Sequence, residues 1–166
     1  INLSAVRHNL VEYKESLHKE TKILVMVKAQ AYGSGLVRIA QFIEKTGVDY
    51  LGVAYVDEGV SLRTAGIQIP IMVLSPEASG FELMVQHQLE PDIYSLPILK
   101  SFVDFLKIKQ IHAYPIHLKL DTGMHRLGFD ENDINELLNI LTAHKGLKVL
   151  SVLSHLSSSD DAHLDE

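Results

Sequence analysis

The chain has no cysteine and no tryptophan, and only 7% of its 166 residues are aromatic. Without cysteine there is neither a disulfide nor a thiolate metal site, and a reducing compartment is permitted. No apolar run reaches the about eighteen residues that a spanning helix requires, and the N-terminus lacks the charged and apolar regions of a signal peptide. Positive charge is also short. Fifteen Lys and Arg against 21 Asp and Glu give a formal net charge of -6, which argues against a nucleic-acid or anionic-membrane partner. The 9 histidines show no HExxH or comparable ligand spacing, so no metal is assigned. Also missing are the GxSxG elbow and both common glycine-rich phosphate motifs. What remains is one cytoplasmic globular domain with small-molecule or protein partners, since 46% hydrophobic and 22% charged residues suit a single core and not a disordered chain.

What is present is a repeated grammar. An opening helix carries Val6, Leu10, Tyr13 and Leu17 at helical spacing, with Ser4 as the expected N-cap. Strands are expected at 23–29, 50–55, 70–75, 91–94, 116–121 and 147–155. Helices are expected at 36–45, 57–65, 79–88, 96–107 and 131–143, with Gly47 and Gly66 as stops. Strands rich in Val, Ile and Leu alternating with amphipathic helices imply an α/β fold with a parallel sheet covered by helices. A doubly wound sheet and a TIM-type barrel both fit six such units, the barrel lacking two strands. The chain starts at Ile1 and its last residues, 162–166, carry no stop signal, so the expectation is of a piece of a longer protein.

Polar residues gather where these strands end, which is where either architecture places its chemistry. Lys28 follows an apolar run and precedes the glycine-rich turn Gly33-Ser-Gly35. An ammonium delivered there is either solvated, paired or used as a Schiff-base nucleophile. The glycine pair is read as a tight strand-to-helix turn, with anion binding as the alternative. Strand alternation puts His117, Lys119 and Asp121 on one face, away from Leu118 and Leu120. Arg126 follows in a loop, where its planar fork suits a carboxylate or phosphate, and an ion pair of Lys119 or Arg126 with Asp121 is the alternative. His155 ends the last strand as a candidate acid, base or stacking partner. The serines that follow it read as loop.

Three segments together carry a resemblance. Val27-Lys-Ala-Gln-Ala-Tyr-Gly-Ser-Gly35, His117-Leu-Lys-Leu-Asp-Thr-Gly-Met-His-Arg-Leu-Gly128 and Ser154-His-Leu-Ser-Ser-Ser-Asp160 resemble, in order and separation, the N-terminal barrel domain of alanine racemases. The resemblance covers essentially all of the chain and implies a TIM-type (β/α)8 barrel truncated to about six units, residues 1–166, with the C-terminal β domain absent. It implies pyridoxal 5'-phosphate as cofactor, held covalently by Lys28, with Tyr32 on its phosphate and His155 beside its ring. Lys28 would also serve as acid or base on one face of the alanine alpha carbon, the other face belonging to a tyrosine of a partner subunit's C-terminal domain. Arg126 would meet the substrate carboxylate, and Lys119 matches a lysine whose carbamylation orients that arginine.

The implied parent interconverts L- and D-alanine for bacterial peptidoglycan synthesis and is a homodimer. The variant motifs also resemble the racemase half of a fusion with UDP-N-acetylmuramoyl-tripeptide:D-alanyl-D-alanine ligase. Gln30 and Ser34 stand where the family commonly has Asn and His, and His125 where it has Gly. The later phosphate-cradling loops are outside the chain, so the piece alone is expected to be inactive and prone to self-association through open strand edges. Two other readings stay open: a non-catalytic pyridoxal-phosphate carrier on the same barrel, and an assembly module.

Overall fold

The computed structural model describes residues 1–157. Ser158, Ser159 and Asp160 of the third segment, and the polar tail at 162–166, lie outside the described residues. The chain divides into two compact units, Ile1–Leu74 with Glu82–Glu90, and Ser75–Phe81 with the chain from Pro91 onward.

In the first unit, α1 (Leu3–Ser16) is capped by Asn2, whose side-chain oxygen accepts from the Ser4 and Ala5 amides at 3.0 and 3.2 Å. The expected cap, Ser4, lies inside the helix. Asn caps as well as Ser, and it stands two residues earlier. α1 buries no residue fully; Val6 and Leu10 are half-buried while Tyr13 and Leu17 are exposed. Lys14 ties it down by donating to the Thr46 and Gly47 carbonyls, where the dipole of the preceding helix favours a cation.

That preceding helix is α3 (Leu36–Glu44), which follows β1 (Leu24–Met26) and a short helical stretch, α2 (Lys28–Gly33). α3 buries Leu36, Ile39, Ala40 and Ile43, an i, i+3, i+4, i+7 stripe that only a helix aligns. β2 (Tyr50–Val53), α4 (Val56–Thr64) and β3 (Ile71–Val73) complete the pattern, and β1, β2 and β3 pair in parallel and in chain order. Arg63 of α4 staples the turns around it, donating to the carbonyls of Ile67, Ile69, His87 and Gln88. Gly59 faces Leu89, and a Cβ there would sit 2.8 Å from the leucine Cδ1.

The second unit opens with a 3-10 turn, Ala78–Gly80, where a helix is expected at 79–88; α5 (Phe81–Gln86) follows, its residues from Glu82 on belonging to the first unit. β4 (Glu90–Ile93), α6 (Leu96–Ile108), β5 (Tyr114–Lys119), α7 (Ile134–Ala143) and β6 (Leu147–Leu153) follow. β4–β5 and β5–β6 are parallel, and the second pair has a bulge between Ile116 and His117. Phe81, Phe102 and Tyr114 form the centre of this unit, with ring centroids 4.8 and 5.7 Å apart in edge-to-face arrangements, a geometry that the ring quadrupole favours. The helices number seven among the described residues instead of about six, because the turn after Lys28 is itself helical.

Candidate functional site

In the first unit β1 delivers Val27, 1% exposed, whose amide continues the sheet by donating to the Gly52 carbonyl at 2.8 Å. Lys28 follows, half-buried. The expected strand, 23–29, stops here because the backbone turns into the left-handed region. Ala29, Gln30, Ala31 and Tyr32 have φ of 52, 56, 50 and 54°, so α2 winds with the opposite hand. Each such residue costs about 1–2 kcal/mol, which makes four in succession a stored strain of roughly 4–8 kcal/mol.

Three sets of contacts hold the strained turn. Its own hydrogen bonds run from the Ala31 amide to the Val27 carbonyl at 2.9 Å and from the Gly35 amide to the Gln30 carbonyl at 2.9 Å. The Ala31 methyl is buried. Glu58, in the first turn of α4, accepts from the Ala29 amide at 2.6 Å through one oxygen and from the Ala54 and Tyr55 amides at 2.8 and 3.4 Å through the other. One carboxylate thus clamps the backbone just beyond Lys28 to the end of β2. The glycine pair is the tight turn expected of it: Gly35, at φ 88°, caps α3. Tyr32 stands 68% exposed on the same turn as Lys28. Higher in this unit, burial and then Glu90 push the Tyr50 phenol up to about 12.

In the second unit both faces of β5 are buried. Ile116 and Leu118 occupy one, and His117 and Lys119, 2% and 8% exposed, the other. Asp92 lies opposite His117 in the β4–β5 register and is fully buried, with one oxygen 4.0 Å from Lys119 Nζ. Neither Asp92 oxygen has a hydrogen-bond partner among the described residues. Burial pushes this carboxyl up to about 6, against the pull of Lys119 and His117 in the other direction. His117 Nδ1 lies 2.7 Å from the Ser151 hydroxyl on β6.

Beyond Lys119 a tight loop is closed by the Asp121 amide donating to the Phe129 carbonyl and the Phe129 amide donating to the Lys119 carbonyl, at 3.0 and 2.8 Å. Gly128, at φ 139°, lies against the Asp121 backbone nitrogen so closely that any Cβ would collide with it. The Asp121 carboxylate accepts from the Gly123 and His125 amides at 3.1 and 3.0 Å, and these backbone bonds, His125 first, lower its pKa. Its other oxygen is 3.5 Å from His125 Nδ1. An ion pair of Asp121 with Lys119 or Arg126 is the alternative left open by the sequence; in the fold Asp121 serves the loop and His125, while Lys119 faces Asp92. Arg126 projects exposed from this loop, and His155 is exposed two residues beyond the end of β6.

Two residues of this geometry escaped the reading of the sequence. Glu58 carried a signal, an acidic residue in the first turn of a helix just after a strand, which reads as ordinary capping. Asp92 carried none beyond being a charge in a strand, for nothing local shows that its neighbours on β5 are charged.

These elements define an α/β protein of the TIM-barrel class, with six parallel strand–helix units present. Solved alanine racemases share it: that of Clostridium difficile 630 superposes with a TM-score of 0.86 at 32% identity over 96% of this chain and 42% of its own, and that of Corynebacterium glutamicum with 0.87 at 26% over 98% and 46%. The chain belongs to the family described as "Alanine racemase, N-terminal domain", which it matches over residues 1–166. Among curated relatives, the alanine racemase of a Nostoc species is 39% identical over 96% of this chain and 42% of the relative, and that of Helicobacter pylori strain P12 is 35% identical over 96% and 43%. The chain thus spans less than half the length of the relatives it matches.

Proposed function

We propose that this chain forms the cofactor-bearing barrel portion of an alanine racemase, dependent on pyridoxal 5'-phosphate and acting on L- and D-alanine for peptidoglycan synthesis. The observation that carries this reading is Lys28, a half-buried amine at the end of β1 in a family-wide match, held there by a strained turn that Glu58 clamps. The residues present suit the cofactor's chemistry: a primary amine for its aldehyde, and an exposed tyrosine hydroxyl on the same turn for its phosphate. When bound, the cofactor supplies an electron sink that makes the alpha proton of an amino acid removable.

The chain's own residues do the rest. Lys28 would hold the cofactor through Nζ, and the same amine would give or take the proton on one face of the alpha carbon. Tyr32 donates to the phosphate. Arg126 would offer its fork to the substrate carboxylate, with Lys119 in support, and by the family resemblance the His155 imidazole would serve the cofactor ring. The second base, on the other face, lies outside these 166 residues, so the chain alone is expected to racemise nothing. The intact protein is proposed to be a cytoplasmic homodimer whose substrate is free alanine. Among the described residues no helix is long and apolar enough to cross a membrane.

The reading is tested by loading the protein with pyridoxal phosphate, reducing with borohydride and mapping the labelled peptide. The label is expected on Lys28 and is expected to vanish in Lys28→Ala. A label elsewhere, or one that survives the substitution, refutes the assignment.

A further inference from the structure

Glu58 is the N3 residue of α4, and its bond back to the Tyr55 amide is a capping contact. Capping explains the least of what this carboxylate does. The Tyr55 bond, at 3.4 Å, is the longest of its three amide bonds, while the shortest, at 2.6 Å, leaves the helix altogether and takes the Ala29 amide, 29 residues back in the chain. That amide is the one directly past Lys28. Val27 donates across the sheet to the Gly52 carbonyl, and alternate amides of a parallel strand donate to alternate carbonyls of its neighbour, so the next donor would be Ala29 and its acceptor Ala54. Glu58 takes the Ala29 amide in place of β2, and its other oxygen takes the Ala54 amide at 2.8 Å. The ladder ends there, yet the two strand ends stay tied.

We propose that Glu58 is a positioning residue for Lys28: by accepting the Ala29 and Ala54 amides on separate oxygens, it fixes the backbone from which the lysine projects, and with it the approach of Nζ to an aldehyde carbon. This deepens the proposed function and rests on its reading of Lys28 as the amine that holds the cofactor. The four left-handed residues begin at the amide that Glu58 holds. Strain of this kind persists only where the surroundings over-determine it, and Ala29 is exposed, so the hydrogen bond holds it where burial does not. In the reaction Nζ attacks the aldehyde carbon, a C=N bond forms, and the carbonyl oxygen leaves as water with the two protons of the NH2 group. The rate depends on how well the amine is aimed, and an error of about 1 Å costs up to about 100-fold. Glutamine cannot replace the carboxylate here. Its side chain has one acceptor oxygen and a nitrogen that only donates, so it serves one side of the clamp and sets N–H against N–H on the other.

The intact protein, stripped of cofactor, is mixed with pyridoxal 5'-phosphate; bond formation is followed by visible absorbance, and the product is trapped with borohydride and mapped. Glu58→Gln is expected to carry the label on Lys28 still, but to acquire it about tenfold more slowly, with faster hydrogen exchange at the Ala29 amide. Ile71→Val removes a methylene from a fully buried residue of β3, which lowers stability without touching the clamp, and it is expected to react at the wild-type rate. Equal rates in wild type and Glu58→Gln, with the label on Lys28 in both, overturn the proposal and leave the proposed function standing. Equal slowing in Glu58→Gln and Ile71→Val overturns it too, since lost stability is then the cause. A wild-type label on another residue refutes the assignment of Lys28, and the proposal falls with it.

Discussion

Lys28 and Lys119 both mark the C-terminal ends of parallel strands, and the chain treats them in opposite ways. After β1 the backbone carries the strain: four left-handed residues follow a lysine whose side chain is left half-open. Along β5 the backbone stays in the strand through Lys119, with one bulge between Ile116 and His117, and the side chains carry the cost, a buried lysine facing a buried carboxylate with unsatisfied oxygens. An amine meant to react has to be reachable, so its precision comes from the main chain around it. An amine meant to support has no such need, and its charge can be set by a buried partner.

The comparison breaks most visibly at the buried pair. Lys119→Met strands Asp92 without a cation and is expected to lower unfolding free energy by about 3 kcal/mol at neutral pH, read by urea denaturation. The same experiment has a sign in pH. Asp92 titrates near 6 in the fold against 3.8 in the open chain, so the folded state binds the extra proton between those values. This group's contribution therefore becomes more favourable as pH falls from above 6 toward 4, by up to ~3 kcal/mol. Asp121, whose pKa is lowered, acts in the usual direction, stabilising above the ordinary carboxylate range and losing that contribution as pH falls through its folded value. Asp92→Asn is expected to flatten the first slope and leave the second; an unchanged slope between pH 4 and 6 would show that the buried carboxyl is not its source.

At the other strand end the expected effects are smaller. Glu58→Gln weakens the charge-assisted clamp on the Ala29, Ala54 and Tyr55 amides and is expected to cost about 2 kcal/mol. Amide exchange should speed up at Ala29 and Ala54 and stay unchanged along β5. Equal acceleration in both places would mean that Glu58 acts on global stability instead of on the turn. Smallest of all, Gln30→Gly relieves one left-handed residue on an exposed position and is expected to raise stability by up to ~1 kcal/mol, since the strain removed exceeds the entropy glycine adds to the open chain. A loss of stability there would mean that the turn is less strained than its φ angles imply.

Much of the fold was legible in advance, because a parallel strand buried on both faces and a helix buried on one leave different hydrophobic periods in the chain. α3 and α6 sit where their apolar stripes place them. Boundaries shifted where local chemistry competes: Asn2 took the cap from Ser4, and the helix expected at 79–88 split into a 3-10 turn and α5. Of the candidate residues, Lys28, Lys119, Arg126 and His155 were legible as polar groups at strand ends, Tyr32 came from the family resemblance, and Lys119's partner was not legible at all.

What the sequence determined by itself is the alternation of strands and helices, the parallel pairing it demands, and the arrival of a lysine at the end of an apolar strand, all matters of local period and composition. The tertiary structure alone decided the hand of the turn after Lys28 and the pairing of Lys119 with Asp92 instead of Asp121. Each depends on groups more than twenty residues apart meeting in space, Glu58 of α4 at Ala29 of the turn and Asp92 of β4 at Lys119 of β5, and no local pattern carries the distance between them.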